Sequence, residues 1–381
     1  MEKIFYTKKD FEYRNEIRDF LAKELDPIKE EINIKKEIPV ELIRKIGKKG
    51  LIGPLIPEKY NGTNKGFISH VMITEEISKL NVAVSVTRTP CILDSYTLYR
   101  FGNEFQKEKF LKKIVSGEKI ASICVTEEEA GSNVAGIKTT ALKDGNDYIL
   151  NGTKKFITNA GLADYYLVWC LTDTKVNPRV GMSVFVVEKG TPGFEIDHPY
   201  GLLGLNGVVN GVLKFNNVRI PKENLIGEEN KGYQILMSTF NIERITLSSE
   251  CNGISLAVLN DSKKYARERK QFERLITDFQ LIKIKIAEMS TKMNAARYLT
   301  YGAAKLAMLG EKFAKEASMA KAFASKTAVE IALDGIQIYG GNGYTTLYPM
   351  ERYLRDAKFF QIGGGTSEIQ NLIIAKEELK K

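Results

Sequence analysis

The spacing of apolar residues changes twice along this chain. In Val71-Met72-Ile73-Thr74-Glu75-Glu76-Ile77-Ser78-Lys79-Leu80 the apolar positions recur at helical intervals, and Phe105 to Val115 repeats that spacing. Breaks at Gly50, Gly53 and Asn61-Gly62 divide this part into separate helices. Near Ile120 the pattern turns to strands. Thr139 to Lys143, then Asp144-Gly145-Asn146-Asp147, then Tyr148-Ile149-Leu150 predict a hairpin with glycine in the turn. Asn151-Gly152 predicts another turn, followed by a strand over Lys154 to Thr158. Strands follow at Tyr166 to Leu171, Met182 to Val187 and Leu213 to Val218, which makes residues 121–228 a compact all-β module. From Gly232 the helical period returns, with helices over about 232–268, 279–309, 311–340 and 350–359 and a last one from Ser367.

The expected fold is therefore α+β and multidomain: an N-terminal helical domain (1–121), a middle β-barrel domain (122–230) and a C-terminal four-helix bundle (231–381). The 381 residues allow this, since two or three cores can be filled at that length. No apolar run is long enough to span a membrane, and the first residues lack the apolar stretch of a signal peptide. Cys91, Cys124, Cys170 and Cys251 are scattered, without disulfide or metal spacing, as reduced core thiols of a cytoplasmic protein would be. With only His70 and His198 present, histidine metal or triad chemistry is not expected. The net charge of +9 is spread along the chain without a nucleic-acid motif, and suits an anionic ligand or an acidic partner instead.

One residue stands out on charge and spacing alone. Leu236, Phe240, Glu243, Leu247, Cys251, Ile254 and Val258 fall on one helical face, apolar except for Glu243. A carboxylate on such a face needs either a cation on a facing helix or a chemical purpose. Burial would raise its pKa and make it a stronger base.

Five segments, in order and across nearly the whole chain, resemble the acyl-CoA dehydrogenase family. They are Pro57-Glu58-Lys59-Tyr60-Asn61-Gly62, Cys124 to Asn133, Phe156-Ile157-Thr158-Asn159-Ala160, Arg269-Lys270-Gln271-Phe272, and Gln337 to Tyr344 continuing through Arg355-Asp356-Ala357-Lys358. Departures are Asn133 for Asp, Phe156 for Trp, Leu347 at an acidic position, and Gly363-Gly364 where most of the family has Tyr-Glu. That Glu is the usual catalytic base. Its absence at Gly364 implies that Glu243 takes the role, as in the isovaleryl-CoA and long-chain acyl-CoA dehydrogenase branches.

The resemblance implies FAD as cofactor and α,β-dehydrogenation of an acyl thioester. It assigns Glu243 as base and the Gly364 N–H as a donor to the thioester oxygen. For FAD it implies Val125, Thr126, Gly131, Ser132, Phe156 and Thr158 along the β-module. Arg269, Gln271, Phe272, Gln280, Gln337, Gly340 and Gly341 would serve the flavin of a neighbouring subunit, and Thr366 and Glu368 complete the set. The substrate side is Arg88, Ser132, Phe240, Asn241, Arg244 and Gly363. Arg88 lies in the segment that lines the acyl pocket, facing either the pocket or solvent. Loss of side chains at Gly363-Gly364 is expected to open room for a short branched or cyclic acyl group. The partner is an acyl-CoA or an acyl carrier protein, the latter with an acyl or aminoacyl (for example prolyl) thioester. The electron acceptor is electron-transferring flavoprotein or oxygen, and the assembly a homotetramer. A catalytically dead homologue serving as a binding subunit is the reading from a different class.

Overall fold

The computed structural model describes residues 1–198 and 200–380. Its principal helices are α1 (Lys8–Glu24), α2 (Val40–Lys48), α3 (Gly66–Leu80), α4 (Val82–Phe101), α5 (Gly232–Glu268), α6 (Gln280–Met308), α7 (Ala314–Tyr339), α8 (Met350–Phe359) and α9 (Ser367–Glu378). Between α4 and α5 lie strands β1 (Ala121–Cys124), β2 (Thr140–Asp144), β3 (Asp147–Thr158), β4 (Tyr165–Leu171), β5 (Met182–Glu188), β6 (Phe194–Asp197) and β7 (Asn210–Ile220). The order helices, sheet, helices is the one the changes of period predict.

The middle module is a curled seven-stranded sheet in the order β1-β4-β2-β3-β7-β6, with β5 on the other edge of β4. β4 is buried along its whole length, which its unbroken apolar run anticipates. The expected turn at Asn151-Gly152 is absent. β3 runs straight through it, and its register against β7 slips between Leu150 and Gly152. The glycine is there for close approach: a Cβ would lie 2.4 Å from Thr139 Oγ1.

The first and last helical groups pack on each other. The 37-residue α5 touches α3, α4, α6 and α7, so its sides face different neighbours. Gly253 permits the contact with α3, since a Cβ there would meet Ser78 Cβ at 2.5 Å. A buried bidentate pair of Arg297 with Glu75, at 3.0 and 2.8 Å, ties α6 to α3. All four cysteines are buried and unpaired. No helix among the described residues is long and apolar enough to cross a membrane.

Candidate active site

The unpaired carboxylate of Glu243 is the centre of the site. Helix α5 buries Leu236, Leu247, Cys251, Ile254 and Val258 and leaves Glu243 half-buried on the same face. Its Oε2 is sealed and has no hydrogen-bond partner, and no basic nitrogen lies within 4.0 Å among the described residues. The ion-pair explanation for this carboxylate is therefore not met. Burial pushes its pKa up to about 7, against the opposing charges of Arg244 and Lys321.

Opposite Glu243 is the glycine turn between α8 and α9. Gly364 sits at φ +64 and Gly365 at φ +82, left-handed values that suit glycine. Placement is close: a Cβ on Gly364 would lie 3.3 Å from Glu243 Cδ. The Gly364 N–H donates to no group among the described residues. The turn is held from behind. Gln370 Nε2 donates to Gly364 O at 3.2 Å and Gly365 O at 2.9 Å, and Lys321 Nζ donates to Gly365 O at 2.5 Å. Lys321 was not singled out by the sequence, although one signal exists. It is a lysine on the small-residue face Ala317, Ala320, Ala324 and Ala328 of α7, all buried, and burial lowers its pKa to about 8.

The glycine pair does not open the expected space. A Cβ on Gly364 would meet Leu247 Cδ1 at 2.1 Å, and one on Gly363 would meet Phe359 Cζ at 2.5 Å. Leu247, Phe359 and Glu243 thus stand where the first atom of each missing side chain would be. The glycine pair therefore gives no ground for preferring a branched or cyclic acyl group.

Arg88 also departs from expectation. Its side chain is 0% exposed and donates to Leu51 O and Thr74 Oγ1, both at 2.6 Å, so it points neither to solvent nor to a free ligand. Asn241 is half-buried and Arg244 buried, and Arg244 Nη1 donates to Asn241 Oδ1 at 2.6 Å. Phe240 is half-buried one turn before Glu243.

A second cluster forms on the sheet. Lys154 is buried on β3 and donates to Val125 O at 2.9 Å and Glu127 Oε1 at 2.7 Å. Glu127 also accepts from Lys138 N at 2.6 Å and Thr139 N at 3.1 Å. This network, not foreseen from the sequence, pins the loop carrying Val125, Thr126, Gly131 and Ser132 against Phe156 and Thr158. The Lys155 N–H bonds Thr126 O at 2.8 Å. Phe156 is a non-glycine residue at φ +59, held at a register slip of β3 and 56% exposed. Thr158 is half-buried and Ser132 exposed.

A third cluster lies at the far end of α5. Lys270–Gln271 and Arg274–Leu275 form a hairpin with Phe272 and Glu273 at its left-handed turn. Arg269, Gln271, Phe272, Gln280, Gln337, Gly340 and Gly341 are all exposed. Tyr265 and Tyr339 stack with ring centroids 3.9 Å apart and bring Arg269 beside the Gly340 turn. A cavity of about 610 Å³ lies here, lined by Arg269, Tyr339 and Asn342 with residues of the first helices. Thr366 caps α9 by accepting the Ile369 N–H, and Glu368 is exposed on its first turn.

The bare backbone in these clusters fits a large polyphosphate cofactor. A Cβ on Gly131, Gly340 or Gly341 would meet nothing within 4 Å, so a ligand can approach main-chain N–H groups there. The exposed Arg269 guanidinium matches an anionic ligand.

Sequence comparison agrees across the chain. The profiles of the acyl-CoA dehydrogenase N-terminal, middle and C-terminal domains match residues 7–118, 122–218 and 230–379. An acyl-CoA dehydrogenase of Bacillus subtilis is 43% identical, over 97% of this chain and 98% of its own. A 3-(aryl)acrylate reductase of Clostridium sporogenes is 38% identical over 99% and 100%. The structure of butyryl-CoA dehydrogenase from Megasphaera elsdenii superposes with a TM-score of 0.96 at 36% identity, covering 98% of this chain and 99% of that one. The prolyl acyl carrier protein oxidase AnaB superposes at 0.92, with 31% identity over 98% and 100%. With three domain profiles matched in order and relatives this similar along nearly their full length, the chain belongs to the acyl-CoA dehydrogenase family, whose members are flavin oxidoreductases acting on CH–CH bonds.

Proposed function

We propose that this protein catalyses FAD-dependent α,β-dehydrogenation of an acyl thioester with Glu243 as the base. The observation that carries the reading is the Glu243 carboxylate beside Gly364, the Glu243 Oε2 and the Gly364 N–H both without a hydrogen-bond partner among the described residues. A thioester placed between them has its carbonyl oxygen on that N–H and its α-C–H toward Glu243. The N–H stabilises the negative charge that develops on oxygen as the proton leaves. Glu243 takes the proton, and its raised pKa brings its basicity toward the working pH. FAD, when bound, supplies the acceptor for the β-hydride. The chain's part is to hold it: the Val125 to Ser132 loop, Phe156 and Thr158 on the sheet, and Arg269 with the Gly340 turn for a neighbouring subunit's pyrophosphate. The intact base argues against a dead homologue.

Asn241 and Arg244, bonded to each other on the same helix as Glu243, suit the pantetheine arm that coenzyme A and carrier proteins share. Acyl-CoA is the leading substrate form, and the likeness to a prolyl carrier-protein oxidase keeps the carrier-bound thioester as the second. The same Glu243 serves reduction of an enoyl thioester, since the proton it takes in one direction it returns in the other. The similarity to an acrylate reductase supports testing both. The electron acceptor is a flavoprotein carrier or oxygen. Exposed apolar side chains at Phe272, Leu281, Tyr344 and Leu347 favour a homo-oligomer, read here as a tetramer. Bleaching of the flavin under anaerobic conditions, with acyl-CoA and acyl carrier protein thioesters in turn, tests the reading. A flavin that no thioester reduces refutes it.

Arg269→Ala removes a charge-assisted bond to pyrophosphate and should weaken FAD binding by about 10- to 100-fold, read by fluorescence titration of apoprotein. Unchanged affinity would remove Arg269 from the cofactor site. The rate of flavin reduction should rise with pH through about 7, because only the ionised Glu243 accepts a proton and burial has moved that ionisation up from about 4.5. A rate already at its plateau at pH 5 would contradict the assignment.

A further inference from the structure

Glu250 lies on α5 seven residues after Glu243. Seven residues return a helix to within about 20° of the same direction, displaced about 10.5 Å along its axis. Glu250 therefore follows Glu243 on one face, with Leu247 between them. It is 0% exposed, whereas Glu243 is half-buried, so it occupies the inner end of that face. Two hydroxyls of α4 meet it: Ser85 Oγ donates to Oε1 at 2.9 Å and Thr89 Oγ1 at 2.8 Å. Its other oxygen, Oε2, is sealed from solvent and has no partner among the described residues. Arg88 is near enough for its charge to act on Glu250, yet its Nη atoms are committed to Leu51 O and Thr74 Oγ1, and its buried Nε makes no hydrogen bond to Glu250 or to any other described residue. A purely structural carboxylate at such a depth would normally have both oxygens bonded, because each unmet acceptor costs free energy.

Resting on the thioester reading above, we infer that Glu250 is the specificity-determining residue at the distal end of the acyl site, where it accepts a hydrogen bond from a hydroxyl carried by the acyl group. A methyl end would leave Oε2 buried against hydrocarbon. A carboxylate end would face both Glu243 and Glu250. An ammonium end is the weaker match, because the Arg88 guanidinium already supplies positive charge beside Glu250. Ser85 and Thr89 fix the carboxylate from the side away from Oε2 and so hold that oxygen ready for a donor.

The test uses the FAD-loaded protein and straight-chain acyl-CoA thioesters of increasing length, each ending in methyl, hydroxyl or ammonium. Anaerobic flavin reduction gives kcat/KM, and perturbation of the flavin spectrum gives binding independently of turnover. At the length that reaches Glu250, the hydroxyl-ended thioester should be preferred over the methyl-ended one by about tenfold or more. Glu250→Leu should abolish or reverse that preference, and Glu250→Gln should keep part of it. Ratios within one enzyme cancel differences in active fraction. If Glu250→Leu fails to hold FAD, Glu250→Gln and Thr89→Val read the same ratio. Absence of any hydroxyl preference, its survival in the variants, or a preference for ammonium would overturn the assignment. If no thioester reduces the wild-type flavin but the hydroxyl-ended ones bind better through Glu250, the dehydrogenase reading fails and the subsite stands.

Discussion

Glu243→Gln will slow flavin reduction by the best thioester about 10²- to 10⁴-fold, the usual contribution of a general base, while FAD stays bound. Glutamine keeps the shape of the side chain and can sit where the carboxylate sits, but it cannot accept the α-proton. The loss should therefore appear in the chemical step and not in folding or cofactor content. The carboxylate has no bonded partner whose loss would confuse the result, since Oε2 is without one and no cation lies within 4.0 Å among the described residues. Removing its charge also relieves a buried ionisation, so the variant should be no less stable than the parent. Stopped-flow absorbance of the flavin decides it, and a wild-type rate in Glu243→Gln would mean another base.

The second large effect concerns moving the base. On sequence grounds, Glu243→Gly with Gly364→Glu should restore part of the rate, because both positions face one reacting carbon. The structure changes that expectation. A Cβ at residue 364 would stand 2.1 Å from Leu247 Cδ1, on a backbone at φ +64 that side chains rarely adopt. The double variant should remain as slow as Glu243→Gly alone. Adding Leu247→Ala removes the obstructing methyl and should raise the rate at least about tenfold over the double variant, within the range that a positioned base supplies. Recovery stays incomplete, because the left-handed backbone still disfavours a side chain and Leu247→Ala leaves a cavity costing about 2–5 kcal/mol. Equal rates in the double and triple variants would show that Leu247 is not what blocks residue 364.

What the sequence made legible was local. Helix α5 showed itself by its apolar stripe, and Glu243 as the charge within it. Gly363-Gly364 announced the missing side-chain carboxylate. What escaped depends on contacts between distant segments. Gly152 reads as a turn in Asn-Gly, yet its role is to let β3 pass Thr139. The volume beside Gly363-Gly364 looked empty because Leu247 and Phe359, which stand where the first side-chain atoms would be, come from other elements. Arg88 seemed a pocket or surface residue because nothing nearby in sequence marks Leu51 O and Thr74 as its partners. Lys321 and Lys154 were invisible for the same reason: each is a cation whose acceptor lies 44 or 27 residues away. Glu250 sits beside Cys251, one position off the apolar stripe, although its seven-residue spacing from Glu243 is countable.

Removal of the α-proton by Glu243 is open to direct test. Proton removal can be watched without oxidation by using tert-butylacetyl-CoA, whose β-carbon carries no hydrogen to transfer. In D₂O the FAD-loaded wild-type protein should exchange the α-hydrogens for deuterium, read by mass spectrometry of the recovered thioester. Glu243→Gln should exchange them at least about 10²-fold more slowly. Exchange at the wild-type rate in Glu243→Gln, with the thioester still bound, would contradict the account.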